Sequence, residues 1–229
     1  MKKYDITRIN IEKPSAGRVK IAHISDLHDS PDYPEILRIL EDERADFIVV
    51  TGDFSNRYKA TYENGLEFLR KAAKSKPVFL SYGNHEVSCN VKKDILEKTG
   101  AAVLDNEFMR HDKFIIGGLT SSKSFSDFEF LDKFSAEKNG FKLLLCHHPE
   151  FYNRFLKGYD IDLILAGHAH GGQVRLPFIG GLFSPGQGLF PQLTSGIHFD
   201  KLVISRGLGN PNKLPRWFNR PEIVFIEFF

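Results

Sequence analysis

Short apolar runs alternate with amphipathic stretches along the first half of the chain. The segment RVKIAHIS alternates apolar and polar residues as a β-strand does, whereas YPEILRILEDE places apolar residues at helical spacing, with Pro34 in the first turn. This pattern predicts strands over residues 18–25, 46–52 and 77–83, and helices over residues 33–43 and 61–75 and in a segment ending at Gly100.

The second half of the chain is richer in predicted strands. Two or three strands with tight turns are predicted within residues 101–119, followed by a helix near 128–138, and the tail from Gly171 is predicted to be mostly strands. The clearest further elements are strands over 141–146, 162–168, 202–207 and 222–229 and a short helix over 149–157. This order indicates an α/β fold with either one mixed sheet or two sheets packed together.

Composition narrows the class of protein. A chain of 229 residues suits one sizeable domain or two small ones, and its net charge of +2 is too small to indicate a surface for long nucleic acids. No apolar stretch is long enough to cross a bilayer, and the N-terminal residues lack the apolar segment of a signal peptide. Cys89 and Cys146 are expected to be reduced thiols, so we expect a cytoplasmic protein.

Phenylalanine is abundant, with 21 copies, which indicates a well-filled core. Several aromatic residues fall in the C-terminal third, where they could also shape a substrate pocket. For each of them we expect core packing or the anchoring of a loop, as is usual for large aromatic side chains. These residues are Phe178, Phe183, Phe190, Trp217 and Phe218.

Five predicted strands end in residues that can bind metal ions. The strand-end segments are SDLH, GDF, GNHE, LLLCHH and LILAGHAH. Because ligands bind at the carboxyl ends of strands in an open α/β sheet, we expect these side chains to converge. Carboxylate, imidazole and amide groups are metal ligands, and their number exceeds the need of one ion. The sequence therefore indicates two adjacent ions, an arrangement suited to phosphoryl transfer.

Glycine precedes several of these polar residues. Gly52, Gly83 and Gly167 each stand directly before a candidate ligand, where we expect the strand to turn sharply through dihedral angles that glycine permits. Gly171 and Gly172 follow the last candidate and are expected to let the chain leave the site without placing a Cβ atom against it.

Taken in order, these segments resemble the calcineurin-like metallophosphoesterase family, whose pattern is D-x-H, G-D, G-N-H-[DE], H and G-H-x-H. The tail segments GHAHGGQVRLP, SRGLG and RPEIVFIEF resemble a bacterial branch that includes UDP-diacylglucosamine hydrolases. The resemblance covers the chain from about Arg18 onward. It implies a single domain over residues 1–229, with two mixed β-sheets packed as a sandwich and flanked by helices.

The resemblance also implies a role for each matching residue. The first metal would be bound by Asp26, His28 and His170, the second by Asn84, His147 and His168, with Asp53 bridging the two. A metal-bound hydroxide would attack phosphorus. His85 is expected to stabilise the transition state or protonate the leaving oxygen, and Asn84 and His85 to contact substrate.

Other residues have more than one interpretation. Glu86 is expected to orient a neighbouring imidazole. Arg57 stands where the protein-phosphatase branch has a phosphate-binding arginine, but a solvated loop arginine is the alternative. His148 directly follows His147, so alternation along a strand would turn it away from the metals as a hydrogen-bonded neighbour. The metals are expected among manganese, iron, zinc, cobalt and nickel, with manganese or iron favoured.

The expected activity is hydrolysis of a phosphodiester or pyrophosphate bond in a small, possibly nucleotide- or lipid-linked substrate. The alternatives are a phosphomonoesterase or protein phosphatase of the same fold and a non-catalytic metal-binding scaffold. A scaffold would be indicated by missing ligands, and none is missing. The gaps between motifs are too short for a large cap domain, so we expect an open cleft.

Overall fold

The computed structural model describes residues 3–121, 128–211 and 215–229. Two six-stranded mixed sheets form its centre. The first sheet has the order β1-β16-β2-β3-β4-β5, with β1 at Asp5–Ile11, β2 at Val19–Ile24, β3 at Phe47–Val50, β4 at Val78–Ser81, β5 at Ala102–Leu104 and β16 at Glu222–Phe228. The second has the order β14-β15-β9-β8-β7-β6, with β6 at Glu107–His111, β7 at Phe114–Leu119, β8 at Phe141–Cys146, β9 at Leu163–Ala166, β14 at Gly196–His198 and β15 at Leu202–Ile204.

Helices cover the outer face of each sheet, and two small hairpins extend from the second half of the chain. The helices are α1 at Tyr33–Glu43, α2 at Glu63–Ser75, α3 at Asn84–Ser88, α4 at Lys93–Glu97, α5 at Phe128–Ala136 and α6 at Phe151–Arg154. The hairpins pair β10 at Arg175–Leu176 with β11 at Gly180–Gly181, and β12 at Phe183–Ser184 with β13 at Gly188–Leu189.

The interior strands are short and wholly apolar because both of their faces are covered. Every residue of β3 and β9 is buried, as expected for parallel strands that lie between a second sheet and a layer of helices. Between the sheets, Phe47 packs edge-on against Phe79 and Phe114 with ring centroids 5.6 and 5.4 Å apart. These contacts join the sheets face to face, so the expected sandwich of two mixed sheets flanked by helices is confirmed.

The structure adds elements that the sequence pattern did not predict. β1 pairs in parallel with β16, and β16 inserts between β1 and β2 although it comes last in the chain. The short helix α3 begins at Asn84, inside a segment that we had taken only as a strand end. Helix α5 ends at Ala136, two residues before its predicted end.

The C-terminal aromatic residues correct the expectation of core packing. Phe178 is fully exposed, Phe218 is 80% exposed and Trp217 is 64% exposed. Phe190 is 58% exposed, and Phe183 is 45% exposed at the edge of the cleft described below. They occupy hairpin ends and turns that project from the sandwich, where there is no core for them to join.

Both sheets end their parallel strands at the same edge of the molecule. The segments after β2, β3 and β4 meet those after β8 and β9, and Gly167 lies directly against Ser25. The backbone N–H of Gly167 donates to the carbonyl of His147, which fixes the loops of the second sheet to each other. All the predicted ligands lie in these loops.

Candidate metal centre

The loops that carry the candidate ligands have unusual backbone geometry. Five ligand residues have positive φ, between 46° and 64°, a region that costs a residue with a Cβ atom about 1 kcal/mol or more. They are Asp26, His28, Asp53, His168 and His170. Such strain concentrates at functional sites, where the surrounding structure holds it in place.

Three of the candidates form one compact donor group. His28 Nε2 lies 3.1 Å from His170 Nε2, and Asp26 Oδ1 lies 3.3 Å from the latter and 3.7 Å from the former. Two donors bound to one ion at about 2.1 Å are separated by about 3.0–3.4 Å at tetrahedral or octahedral angles. Two of the three separations lie in this range and the third, 3.7 Å between His28 and Asp26, is slightly longer, so a single cation would draw these two groups together.

A second donor group lies next to the first. Asp53 Oδ2 is 3.2 Å from His147 Nε2, which is in turn 3.2 Å from His168 Nδ1. His147 Nδ1 donates to the carbonyl of Thr51 at 2.7 Å, so Nε2 is the ring nitrogen that faces Asp53. Asn84 Oδ1 is buried and accepts no hydrogen bond in the described part of the chain, as a carbonyl oxygen reserved for a cation would be.

Asp53 lies close to residues of both donor groups. Its carboxylate lies within reach of His147 and His168 and also of His28 and His85. Oδ1 accepts the backbone N–H of His85 at 2.8 Å, while Oδ2 faces the imidazoles. The chemistry of this donor set, two groups joined by one carboxylate, fits a pair of transition-metal ions.

Electrostatics keep most of these imidazoles neutral, as metal ligands must be. Burial lowers the pKa of His28 and of His170 to about 3, and it lowers the pKa of His168 as well. Burial also opposes a charge on His147, but the Asp53 carboxylate outweighs it and raises the pKa of His147 to about 10. The space beside Asp53 therefore favours a positive charge.

Glycine serves the site in two different ways. Gly52 has φ +87°, as the predicted turn requires. Gly83 and Gly167 do not have positive φ, so the expected dihedral reason is wrong for both. A Cβ atom on Gly83 would lie 2.2 Å from Asp53 Oδ1, and one on Gly167 would lie 1.8 Å from Ser25 Oγ. Their contribution is close approach of backbone to side chain.

Gly171 and Gly172 make room for residues outside the donor groups, where the sequence had predicted that they clear the metal site itself. Both have positive φ, and a Cβ atom on Gly171 would meet Asn219 Oδ1 at 2.3 Å. Asn219 is a residue that the sequence analysis missed. Its side-chain N–H groups donate to the carbonyls of His170 at 2.6 Å and Gln173 at 2.9 Å, which fixes the loop carrying His170. No sequence motif singles it out.

Glu86 accepts hydrogen bonds from backbone N–H groups and not from an imidazole. Its carboxylate accepts N–H groups from Asp53 at 2.7 Å, Gly83 at 2.8 Å and Ser55 at 2.9 Å, and the Ser55 hydroxyl at 2.6 Å. Burial raises the pKa of Glu86 to about 7, and the charge on Asp53 acts in the same direction. Glu86 therefore joins the loops after β3 and β4 to each other, in place of its predicted role of orienting a neighbouring imidazole.

His85 lies in the cleft but is bound differently from the imidazoles of the two donor groups. Its Nδ1 accepts the backbone N–H of Arg57 at 3.1 Å, and its Nε2 is 3.7 Å from Asp53 Oδ2. Burial lowers the pKa of His85, so the ring is neutral at pH 7. Nδ1 also lies 3.2 Å from the carbonyl oxygen of Ser55, so its contacts are compatible with a proton on either ring nitrogen.

The cleft above the donor groups is lined on one side by Arg57 and Tyr58 and on the other by Phe183 and Pro185. Arg57 is exposed, and its guanidinium donates to the Tyr58 hydroxyl at 3.1 Å. The guanidinium therefore lies at the mouth of the cleft, about where a substrate group would enter.

His148 lies closer to the donor groups than strand alternation suggested. β8 ends at Cys146, so the alternation no longer applies two residues later. The ring of His148 lies 4.0 Å from that of His168, and its Nδ1 is 3.3 Å from Glu150 Oε1. Cys146 itself is buried in the outer core, as its position on the strand requires.

Comparison with known proteins agrees with this geometry. Residues 19–172 match the calcineurin-like phosphoesterase family. The chain is 31% identical to the uncharacterized metallophosphoesterase YkoQ of Bacillus subtilis, over 93% of this chain and 85% of YkoQ. It is 26% identical to phosphodiesterase YaeI of Escherichia coli, over 96% of this chain and 86% of YaeI. It is 25% identical to UDP-2,3-diacylglucosamine pyrophosphatase LpxG of Chlamydia muridarum, over 91% of this chain and 83% of LpxG.

The chain therefore belongs to the calcineurin-like phosphoesterase family, and it is a hydrolase of phosphoric esters. This confirms the resemblance found in the sequence. Its buried histidine and aspartate groups could hold metal ions, as a metallophosphoesterase requires.

Proposed function

We propose that the protein is a dinuclear-metal phosphoesterase that hydrolyses a phosphodiester or pyrophosphate bond in a small substrate. The observation that carries this proposal is the position of Asp53. Its carboxylate lies between two donor groups, one formed by Asp26, His28 and His170 and the other completed by His147 and His168. A carboxylate can share its oxygens between two ions, and none of the imidazoles around it can do so while neutral.

The metal ions would supply the reactive groups, and the residues of the chain would hold these groups in position. Two divalent or mixed-valence transition-metal ions, of which manganese or iron are favoured, would supply a water of lowered pKa and positive charge to offset the phosphoryl oxygens. The chain contributes carboxylates, imidazoles and loops whose strained backbone fixes both. The amide of Asn84 completes the second group and reaches the cleft where substrate would lie.

His85 is proposed as the catalytic proton donor. Its Nε2 lies 3.7 Å from Asp53 Oδ2, and the Arg57 backbone N–H donates to its Nδ1, which holds the ring in place. From there the neutral ring would donate a hydrogen bond to a phosphoryl oxygen, and only a ring first protonated in the substrate complex would pass a proton to the leaving oxygen. Asp53 supports this position by accepting the backbone N–H of His85.

Two observations favour a diester or pyrophosphate over a monoester. Arg57, Tyr58 and Phe183 line the cleft together with the metal-binding residues, and a second substituent on phosphorus is proposed to lie among them. YaeI is named a phosphodiesterase and LpxG a pyrophosphatase, and this chain matches most of the length of each. The Arg57 guanidinium is proposed to meet the substrate at the mouth of the cleft.

The competing functions make different predictions. A phosphomonoesterase or protein phosphatase would cleave a chromogenic monoester faster than the corresponding diester. A binding scaffold would hold metal without turnover, and the complete donor set gives no support for it. The two cysteines are unpaired, which supports the cytoplasm as the proposed location.

The test is metal analysis followed by paired assays. Purified protein is stripped with a chelator, reloaded separately with manganese, iron, zinc, cobalt or nickel, and assayed with bis(p-nitrophenyl) phosphate and p-nitrophenyl phosphate. We expect about two ions per chain at saturation and a clear preference for the diester. One ion per chain at full activity would overturn the dinuclear proposal, and faster monoester turnover would overturn the substrate class.

A further inference from the structure

Six large apolar side chains project into solvent beside the cleft. Phe178 and Ile179 form the turn between β10 and β11, and Phe190 follows Leu189 at the end of β13. Trp217 and Phe218 occupy a separate turn. All six are 58–109% exposed, and we call them the apolar rim: Phe178, Ile179, Leu189, Phe190, Trp217 and Phe218.

The turns that carry the apolar rim are joined by backbone hydrogen bonds. The N–H of Arg175 donates to the carbonyl of Trp217 at 3.0 Å, and the N–H of Phe190 donates to the carbonyl of Leu182 at 2.9 Å. Leu182 N–H in turn bonds to Gly172, two residues beyond His170. The turns that carry the rim are therefore linked through their backbones to a loop of the metal centre.

Three aromatic residues of the apolar rim have a strained backbone, and their side chains are exposed. Phe178, Phe190 and Phe218 have φ of +66°, +53° and +51°. Such turn positions ordinarily carry glycine or asparagine, because a bulky side chain there costs about 1–2 kcal/mol. The folded chain gains no burial in return, since each of the three rings is at least 58% exposed. Because burial within the chain does not offset this backbone strain, we expect the exposed rings to contact a surface outside the molecule.

Charge around the apolar rim indicates what that surface is. Along the sequence, residues 171–221 contain six lysines and arginines and one acidic residue, Asp200, which gives +5, whereas the whole chain has +2 and the remainder therefore −3. Of these cations, Arg206 pairs with Asp5 and Glu222, and Arg220 lies 3.9 Å from Asp5. Arg175 and Arg216 donate to carbonyl and hydroxyl oxygens and form no ion pair in the described part of the chain. Both guanidinium groups are attracted by the carboxylate of Glu222, and Arg216 is attracted by that of Asp26 as well. Arg154 is exposed next to the β12–β13 hairpin.

We infer that the apolar rim inserts into the surface of a bilayer that contains anionic lipids. Aromatic side chains on projecting turns, with cations behind them, match the apolar interface and the anionic headgroups of such a membrane. Docking in this way would turn the edge of the cleft formed by Phe183 and Pro185 toward the lipid surface. The inference concerns an interaction surface and does not depend on which bond the protein hydrolyses.

The chain contains its own probe for this interaction. Trp217 is the only tryptophan in the sequence and lies in the apolar rim, 64% exposed. Its emission should shift to the blue when vesicles of equimolar phosphatidylcholine and phosphatidylglycerol are added, and the protein should sediment with them. Vesicles of phosphatidylcholine alone should bind at least tenfold less protein, and high salt should release the protein from the mixed vesicles.

The decisive variant is F178S/F218S, which keeps Trp217. We expect it to lose at least tenfold in binding to the mixed vesicles while hydrolysing a soluble chromogenic ester at the wild-type rate. F229S is the matched control, because Phe229 is 54% exposed at the end of β16 and outside the rim. It should bind as the wild type does. The equal rate of the double variant would show that its fold and metal centre are intact.

Three results would overturn the inference. The first is an unchanged Trp217 emission with no sedimentation, and the second is wild-type binding by F178S/F218S. The third is a blue shift that follows protein concentration without vesicles, together with a doubled mass in light scattering, which would assign the rim to a second copy of the chain. Equal binding to both kinds of vesicle would overturn the choice of anionic lipid.

Discussion

Asp53 and His147 follow strands of different sheets, yet Asp53 Oδ2 lies 3.2 Å from His147 Nε2. This contact joins the two halves of the sandwich at the metal centre and makes Asp53 the most informative position to change. Asp53→Asn keeps the size of the side chain but removes the charge that a bridging ligand needs.

We expect Asp53→Asn to lower hydrolysis by more than about a thousandfold and to reduce bound metal below two ions per chain. Elemental analysis and a steady-state assay of the same preparation measure both effects. Asp112→Asn is the matched control, because its carboxylate is 84% exposed, and it should change neither. Full metal content with full activity in Asp53→Asn would refute the bridging role.

The close approach of Gly83 to Asp53 leads to a second prediction. Gly83→Ala would place a Cβ atom 2.2 Å from Asp53 Oδ1 and 2.5 Å from its backbone nitrogen, so the loop after β3 must move. We expect loss of metal and of activity, by about a hundredfold or more, in a protein that still folds. Gly158→Ala is the control, since its Cβ atom would meet nothing within 4 Å. Equal activity of the two variants would contradict this account.

A substitution at His85 should lower the rate of catalysis without changing metal binding. His85→Gln is expected to lower kcat by about 10²–10⁴-fold, the range for loss of a positioned proton donor, while metal content stays the same. The measurement is kcat with a diester of poor leaving group and a diester of good leaving group. The loss should be larger for the poor leaving group, because protonation matters more there. A fall in metal content would instead assign His85 to the ligands.

Metal removal should weaken the fold as well as the activity. Because ions bound at the two donor groups stabilise only the folded state, manganese at 100 times its Kd should add about 2.7 kcal/mol to the free energy of unfolding for each occupied site. Urea denaturation with and without chelator measures this difference. Asp53→Asn should show a much smaller response to manganese. An identical response would mean that the ion binds elsewhere.

Glu43 provides a prediction about pH that lies away from the metal centre. Its carboxylate accepts from Lys20 Nζ at 2.8 Å and from the guanidinium of Arg8, which ties α1 to β2 and β1. The bond from Lys20 outweighs partial burial and lowers the pKa of Glu43. Stabilisation by a depressed carboxyl pKa is present above the unfolded value of 4.5 and disappears as pH falls through the folded value.

Glu43→Gln should therefore reduce the free energy of unfolding by about 1 kcal/mol at pH 7, the upper end for a partly exposed ion pair. The difference from the wild type should vanish at the acid end of the titration. Urea denaturation at several pH values measures it, and Glu41→Gln on the exposed face of α1 is the control. A loss that persists unchanged in acid would rule out the ionic contribution.

The candidate site could be predicted because its residues follow recognisable strands. Asp26, Asp53 and His168 each come directly after an apolar run, and parallel strands bring their carboxyl ends to one edge. That rule needs only the order of strand and helix. It places the ligands together without any knowledge of side-chain distances.

Other features depend on tertiary contacts that no local pattern records. The alternation in EIVFIEF identifies a strand, but it does not say that β16 pairs with both β1 and β2. Gly83 and Gly167 resemble turn glycines in the sequence, and only the structure reveals the atoms that a Cβ would strike. Phe178 and Phe218 are apolar residues of the kind that usually fill a core. Both are exposed because they lie in turns, and the position of a turn in the fold cannot be predicted from hydrophobicity alone.

The position of β16 also affects how the protein is made. β16 and Asn219 follow every candidate ligand along the chain, yet β16 fills the gap between β1 and β2, and Asn219 holds the backbone of His170. While the nascent polypeptide still lacks these residues, the first sheet is open and the loop of His170 has no anchor. Ions acquired on the ribosome would meet ligands that are not yet held together. We therefore expect metal ions to bind stably only after β16 has been synthesised.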